Sequence, residues 1–281
     1  MYLGQLLKSV SKKYQKISVR GIAFDSRKVK KKDIFFAIQG NRTSGIKFIN
    51  EAIFKVINSG NFTLGEEVEL FEKEFAKFCG CNYAVGVGSG TSALQLSLIA
   101  SGIGKGDEVI TVPNSDLPTA MTISHVGAKI VFVDVDYDTY NINTRLIEQN
   151  ITKSTKAIIP VHLFGLPADM TEIKRIAKKY KLKIIEDAAL ATGAELNGVK
   201  VGNLGDLGCF SLAPNKILGA YGDAGVITTN NRLIANKIKV ISNYGHSLKM
   251  NERKFGVGKI GSTRWELLEE GYNCLLYTSP S

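Results

Sequence analysis

From residue 66 onward the chain alternates between helix-like segments and short runs of consecutive apolar residues. The segment EEVELFEKEFAKFCG places Val68, Phe71, Phe75 and Phe78 three and four positions apart, which predicts an amphipathic helix. Short apolar runs between such segments are typical of buried strands in a parallel sheet. The alternation therefore predicts an α/β domain.

The rest of the chain continues this alternation. We predict strands in YAVGVGSG, DEVITVP, AKIVFVDVD, TKAIIPVHLFG, LKIIEDAA, LGCFSLA and GVITTN. We predict helices in TSALQLSLIASG, LPTAMTISHVG, TRLIEQNI and MTEIKRIAKKY. The last two strands, Gly208–Ala213 and Gly225–Thr229, are close enough in sequence to pair as a hairpin-like edge. The sheet is expected to be mostly parallel, with helices on its faces.

The composition is that of a folded globular protein. With 281 residues, of which 44% are hydrophobic, the chain can form one large α/β domain or two smaller ones. No stretch reaches the roughly 18 consecutive apolar residues of a membrane span, and the first residues lack the apolar run of a signal peptide. The four cysteines lack metal-ligand spacing, so we expect reduced thiols and no metal site. These features predict a cytoplasmic protein.

The positive charge is concentrated at one end of the chain. Residues 1–54 hold 12 Lys and Arg against three acids, so they carry +9 of the formal net charge of +10. A nucleic-acid-binding face would not stop at one sequence boundary. We interpret the charge step as the join of two unlike segments, 1–54 and the remainder.

Three short segments follow predicted strands, where open α/β sheets bind their ligands. The first, Gly88-Ser89-Gly90-Thr91-Ser92, opens a helix and offers backbone N–H groups, a helix dipole and hydroxyls to a phosphate. Glycine turns before helices are common, however, and this turn lacks the third glycine of the dinucleotide fingerprint.

The second and third segments each have a structural and a functional interpretation. In Glu186-Asp187, an acid after a strand is either a helix cap or a carboxylate that pairs with a ligand cation. In FSLAPNKILGAYGDAG, Ser211 lies five residues before Lys216, in a glycine-rich turn. A lone lysine in a turn is most often a solvated surface group.

Together the three segments match what pyridoxal phosphate (PLP) chemistry requires. The phosphate of PLP needs dipoles and hydroxyls, its pyridine nitrogen needs a carboxylate, and its aldehyde needs a lysine for a Schiff base. The ordered set of phosphate turn, acid and lysine is far more specific than any one member.

Residues 55–274 resemble the DegT/StrS family of PLP-dependent sugar aminotransferases, of the fold type I superfamily. The matching runs include VGVGSGTSALQLSL, GAKIVFVDVDYDTYNI, ITKSTKAIIPVHLFGLPADM, IIEDAALATGA, VGNLGDLGCFSLAPNKILGAYGDAGVITTN and GYNC. The resemblance implies a Schiff base at Lys216, which would also be the catalytic acid and base, and a pairing of Asp187 with the pyridine nitrogen. The residues implied around the cofactor phosphate are Gly90, Thr91, Ser211 and, from a neighbouring subunit of a homodimer, Asn273.

The implied reaction is transamination. Glutamate, the usual donor in the family, would give its amine to the cofactor, which would pass it to the keto carbon of a nucleotide-diphospho-sugar for amino-sugar biosynthesis. Relatives with histidine in place of the lysine perform dehydration, so Lys216 favours transamination.

Two departures from the family pattern concern the cofactor ring. Asp116, in Ser115-Asp116-Leu117-Pro118-Thr119, replaces an aromatic residue that stacks on the ring, and Leu190 replaces a glutamine near the phenolic oxygen. We interpret His125, His162 and His246 as structural or substrate-side residues.

The run ISVRGIAFDSRKVKKKDIFFAIQGNRTSGIKFINEAI resembles the N-terminal domain of Mur ligases that extend UDP-N-acetylmuramoyl-dipeptide, with Asp25-Ser26-Arg27 near the UDP-sugar. No ATP-binding P-loop is present, which excludes ligase activity. Residues 275–281 continue neither pattern. We therefore predict a chimera: a ligase-like fragment 1–54, an incomplete aminotransferase large domain 55–274, and a non-native tail 275–281.

The missing small domain of the family leads us to expect weak PLP binding or inactivity in this chain. Two other functions stay open: a UDP-sugar-binding module on a non-catalytic scaffold, and a PLP-dependent sugar dehydratase.

Overall fold

The computed structural model describes residues 54–60, 63–245, 271–272 and 274, and the backbone of residues 21–23 and 33–35. The chain divides into two compact units, residues 1–55 and 56–281. In the first unit, β1 (Gly21–Ala23) pairs in parallel with β2 (Asp33–Phe35). The domain boundaries at 54 and 274 and the resemblance of the first segment to a ligase stay predictions.

The second unit alternates strands and helices as predicted. Its helices are α1 (Glu66–Cys79), α2 (Gly90–Ala100), α3 (Leu117–His125), α4 (Met170–Tyr180) and α5 (Arg232–Ser242). Its strands are β3 (Tyr83–Val87), β4 (Glu108–Thr111), β5 (Lys129–Phe132), β6 (Thr155–Ile158), β7 (Lys183–Asp187), β8 (Glu195–Leu196), β9 (Val199–Lys200), β10 (Leu207–Ser211) and β11 (Gly225–Thr229).

Seven strands form the central sheet in the order β3-β11-β10-β7-β6-β4-β5. Strand β11 is antiparallel to both of its neighbours, and the other pairs are parallel. This mostly parallel sheet confirms the predicted fold class. The carboxyl ends of β3, β10 and β7 consequently lie at one edge of the sheet, where the three candidate segments follow them.

The predicted hairpin-like edge is only half right. Strands β10 and β11 do pair antiparallel, with Ser211 opposite Gly225. However, β3 pairs with the other side of β11, so β11 lies inside the sheet and β3 forms the edge. The reason is burial: all five residues of β11 are buried, as expected for a strand covered on both faces.

Two layers of helices sandwich the sheet, and successive residues of each strand face opposite layers. Helices α1 and α4 pack in one hydrophobic cluster with Ile184 of β7. Helices α2, α3 and α5 pack in the other, with Ile185 of β7. Because the side-chain period of a strand is two, Glu186 faces the α1/α4 layer and Asp187 faces the α2/α3/α5 layer.

The predicted helices are confirmed with one exception. TRLIEQNI forms two 3₁₀ turns, Thr144–Leu146 and Glu148–Asn150, because so short a segment gains too few hydrogen bonds to offset helix nucleation. The β8–β9 hairpin and helix α5 were not predicted. No helix of the described residues has the length and apolar character needed to cross a membrane.

Candidate active site

The first candidate segment forms the turn between β3 and α2. Ser89 caps the helix, because its side-chain oxygen accepts a hydrogen bond from the Ser92 N–H at 3.0 Å. The backbone N–H groups of Gly90 and Thr91 have no hydrogen-bond partner within the described residues. Unpaired N–H groups at the positive end of a helix dipole attract anions. The turn can therefore hold a phosphate.

Ser211, at the end of β10, packs against this turn. A Cβ atom added to Gly90 would lie 2.8 Å from Ser211 Cβ, and one added to Gly225 would lie 2.4 Å from the Ser89 carbonyl carbon. Only glycine fits at these two positions. The structure thus brings the predicted phosphate residues Gly90, Thr91 and Ser211 together.

Asp187 ends β7 and is only 5% exposed. Its Oδ2 accepts a hydrogen bond from Thr119 Oγ1 at 2.7 Å, and its Oδ1 accepts one from the Ala189 N–H at 3.2 Å. Burial raises the pKa of this carboxyl, while the two hydrogen bonds and, after them, electrostatic attraction to His162 and Lys216 oppose the rise. A buried carboxylate with spare lone pairs, and with no cation in contact among the described residues, is suited to bind a cationic group of a ligand.

Lys216 lies in the loop that joins β10 to β11. The Lys216 N–H donates to the Ala213 carbonyl at 2.9 Å. A Cβ atom added to Gly219 would lie 2.7 Å from the Pro214 carbonyl oxygen, so this tight turn requires glycine there. Lys216 is half-buried between exposed neighbours, and its charge reaches Asp187. Lysine and acid therefore share one electrostatic environment.

Glu186 has a different role from Asp187, which sequence reasoning missed. Its carboxylate is wholly buried and accepts hydrogen bonds from His162 Nε2 at 2.9 Å and from the backbone N–H groups of Gly202, Leu204 and Gly205 at 2.6 to 2.8 Å. Four donors satisfy both of its oxygens. Glu186 therefore anchors the loop that leads into β10, on the face of the sheet away from Asp187.

The remaining predicted residues are only partly described. Asn273, His246 and Asp25-Ser26-Arg27 lie outside the described residues. The Cys274 carbonyl accepts a hydrogen bond from the Gly88 N–H at 2.9 Å, so Cys274 lies beside the turn that opens α2. Within the described residues, no cluster of His, Cys, Asp or Glu is placed to hold a metal ion.

The two departures from the family pattern have local explanations. Asp116 caps α3, since its side chain accepts a hydrogen bond from the Leu117 N–H at 2.9 Å. Leu190 is half-buried and packs against the α1/α4 cluster. His162 is a buried structural residue, and His125 is exposed at the end of α3.

Asp187→Asn is expected to stabilise the cofactor-free chain at neutral pH. Because folding raises the Asp187 pKa above its ordinary 3.8, the contribution of this group favours folding below that pH and is lost as pH rises through the raised value. An asparagine escapes this loss, about 1.4 kcal/mol for each unit of the rise. Its amide can donate to Thr119 Oγ1, which then donates to Ser115.

Urea unfolding of both proteins between pH 4 and 8, without PLP, measures the difference. It should widen in favour of Asp187→Asn as the pH increases. An asparagine variant that is less stable at every pH would show that the carboxylate is well solvated or already neutralised in the folded chain.

These features define an α/β protein with a glycine turn that opens a helix, a buried acid and a lysine, all following strands at one edge of the sheet. The profile of the DegT/DnrJ/EryC1/StrS aminotransferase family matches residues 44–268. The chain belongs to this family, whose members are PLP-dependent. The resemblance to these aminotransferases that the sequence analysis described is therefore confirmed. The match begins within the segment 1–54 that we assigned to a ligase-like fragment.

Known relatives are similar over most of this chain. The dTDP-3-amino-3,4,6-trideoxy-α-D-glucose transaminase of Micromonospora megalomicea is 44% identical over 70% of this chain and 53% of its own length. The S. venezuelae protein DesV, solved with a ketimine intermediate, is 37% identical with a TM-score of 0.75, covering 83% of this chain and 58% of DesV.

A third relative contains the cofactor itself. The Bacillus subtilis protein NtdA, solved with bound cofactor PMP, is 33% identical with a TM-score of 0.71, covering 83% of this chain and 50% of NtdA. This chain thus spans about half the length of the relatives that it matches.

Proposed function

We propose that this protein is a PLP-dependent aminotransferase that transfers the amine of glutamate to a nucleotide-diphospho-keto-sugar, in amino-sugar biosynthesis for a cell-surface polysaccharide or a related product. The observation that carries the proposal is the buried Asp187 carboxylate, which shares its environment with Lys216. Family membership supports the reaction class, and the transaminase name of the Micromonospora relative supports the substrate class.

The described residues fit the cofactor. In the proposal, the N–H groups at Gly90 and Thr91 and the hydroxyl of Ser211 hold its phosphate, where the helix dipole favours negative charge. The Asp187 carboxylate pairs with its protonated ring nitrogen, which relieves the cost of burying an uncompensated charge. The Lys216 amine would hold its aldehyde carbon covalently, with release of one water.

The bound cofactor supplies an electron sink that stabilises negative charge at a substrate carbon. The protein supplies the rest. The Nζ amine of Lys216 takes and returns the substrate proton, and the negative charge of Asp187 keeps a proton on the ring nitrogen. The buried position of Asp187 excludes water and strengthens this pairing.

The proposal includes a homodimer in which Asn273 of one chain reaches the cofactor phosphate of the other. Four large apolar side chains in the segments that follow the carboxyl ends of β4, β6 and β10 support an association surface at this edge of the sheet. Leu117, Phe164, Ile217 and Tyr221 are each more than 60% exposed. Exposed apolar side chains concentrated near one site favour contact with a partner.

A half-reaction tests the proposal without the sugar substrate. The purified chain is mixed with PLP and then with glutamate, and absorbance and 2-oxoglutarate are measured. We expect a visible band that glutamate abolishes while one equivalent of 2-oxoglutarate forms. A folded chain without such a band favours the scaffold that binds a UDP-sugar. A visible band that persists after glutamate is added, with no 2-oxoglutarate formed, favours the dehydratase.

A further inference from the structure

Asp187 is connected to a chain of two hydroxyl groups. Thr119 Oγ1 lies 2.7 Å from Asp187 Oδ2, and Ser115 Oγ lies 2.7 Å from Thr119 Oγ1. A hydroxyl has one proton to donate, and an ionised carboxylate can only accept. When Asp187 is ionised, Thr119 must therefore donate to Asp187 and Ser115 must donate to Thr119.

Helix α3 fixes the position of this chain. Asp116 caps the helix, and Thr119 lies in its first turn with 1% of its surface exposed. The Thr119 N–H donates to the Asp116 carbonyl at 3.2 Å, which holds the backbone of this turn. The Thr119 hydroxyl is consequently held in place by the capped first turn of α3, in which Thr119 itself is buried.

Other groups near Asp187 do not replace Thr119. His162 Nδ1 accepts the Ala168 N–H at 3.1 Å and its Nε2 lies 2.9 Å from Glu186 Oε2, so neither ring nitrogen is left to donate to Asp187. Glu186 itself faces the opposite layer.

Two further groups face the carboxylate. Cys209 lies beside Asp187 on β10, and burial raises the pKa of its thiol, so it carries no charge at neutral pH. Lys216 contributes positive charge but makes no hydrogen bond to Asp187 within the described residues. Among those residues, Thr119 is therefore the side-chain donor that contacts the carboxylate.

We propose that Thr119, supported by Ser115, is a positioning residue that keeps Asp187 ionised and fixes its carboxylate for the ring nitrogen of the cofactor. The role toward the cofactor rests on the proposed function. The effect on the Asp187 carboxylate rests on the two hydrogen bonds alone. A charge-assisted hydrogen bond favours the ionised form of a carboxyl that burial disfavours. Thr119 thus counteracts the burial of Asp187 at the position where a negative charge is needed.

The test compares three threonine variants of the full chain. Thr119→Val removes the hydroxyl at nearly constant shape, and Thr119→Ser keeps it. Thr122→Val is the matched control, because Thr122 is equally buried in α3 and its hydroxyl bonds to the backbone carbonyls of Pro118 and Thr119. Carbon-13 NMR of aspartate-labelled protein without PLP follows each carboxyl, and Asp187→Asn identifies the signal.

We expect the Asp187 titration midpoint of Thr119→Val to rise by about one to two pH units. Thr119→Ser and Thr122→Val should titrate like the wild type. With PLP present, the pH below which the cofactor is released should rise by the same amount in Thr119→Val. If that variant does not fold, Ser115→Ala should shift the midpoint upward by a smaller amount.

Two results would overturn the inference. One is an Asp187 titration midpoint in Thr119→Val that equals that of the wild type. If Thr119→Val does not fold, the same result in Ser115→Ala takes its place. The other is an equal shift in Thr122→Val, which would assign the effect to general loosening of α3. The proposed function can fail separately. If Thr119→Val shifts the Asp187 midpoint as expected but the wild-type chain never retains PLP, the hydrogen-bond effect is confirmed and the proposed function is contradicted.

Discussion

Glu186→Gln is expected to destabilise the protein by about 3–5 kcal/mol, the largest stability effect that the described residues predict. The wild-type carboxylate accepts four hydrogen bonds in a fully buried position. A glutamine can accept hydrogen bonds only at its one carbonyl oxygen. Its NH₂ group then faces two N–H donors that have lost their acceptor. If that amide occupies the Oε2 position, both His162 Nε2 and the Gly202 N–H lose their acceptor.

The neighbouring imidazole cannot relieve this conflict. His162 Nδ1 already accepts the Ala168 N–H, so moving the ring proton to Nδ1 would break that hydrogen bond. The loss would be a large part of the roughly 5–15 kcal/mol that stabilises a typical domain. Urea unfolding monitored by circular dichroism measures the effect.

Glu195→Gln is the matched control for this experiment. Glu195 pairs with Lys200 at 2.6 Å, but its side chain is 49% exposed, so water replaces the lost charge interaction. We expect little change in its urea midpoint. A Glu186→Gln midpoint as close to the wild type as that of Glu195→Gln would show that the loop before β10 does not depend on the carboxylate.

The sequence predicted most of the elements because their patterns are strong. Helix α4 has the bounds of MTEIKRIAKKY, since its apolar positions, its Asp169 cap and its left-handed end at Lys181 agree. Helix α5 was missed although Asn231 caps it with hydrogen bonds to two backbone N–H groups. The place of β3 at the sheet edge depends on long-range pairing, which local pattern does not determine.

The candidate site was predicted as a set of residue types and not as a network. Glycines, acid and lysine have chemical requirements that sequence order reveals. The contacts of Thr119 with Asp187 and of His162 with Glu186 join segments that are far apart in sequence. They depend on how the helices and strands pack, so local sequence patterns did not predict them. One signal was available: strand periodicity places Glu186 and Asp187 on opposite faces, so only one of them can face the site.

Lys216→Ala is expected to abolish covalent attachment of PLP and to slow the glutamate half-reaction by about 10²–10⁴-fold, the range that a positioned acid–base group contributes. Within the described residues the Lys216 side chain makes no hydrogen bond or ion pair, and its backbone N–H keeps its bond to the Ala213 carbonyl in the variant. Folding should therefore change little, and the loss should appear in the cofactor chemistry alone. Borohydride reduction followed by peptide mass spectrometry locates the cofactor bond.

Two further variants separate the charge of Lys216 from its chemistry. Lys216→Arg keeps the positive charge that lowers the Asp187 pKa but cannot bond to the aldehyde, so it should retain some PLP noncovalently and show no visible band. Lys174→Ala, an exposed change on α4 on the other face of the sheet, should behave like the wild type. Cofactor bound to another lysine after reduction, with a half-reaction unchanged in Lys216→Ala, would remove Lys216 from the site. If both Lys216 variants lose the visible band and Lys174→Ala keeps it, the primary amine of Lys216 is the group that PLP chemistry requires.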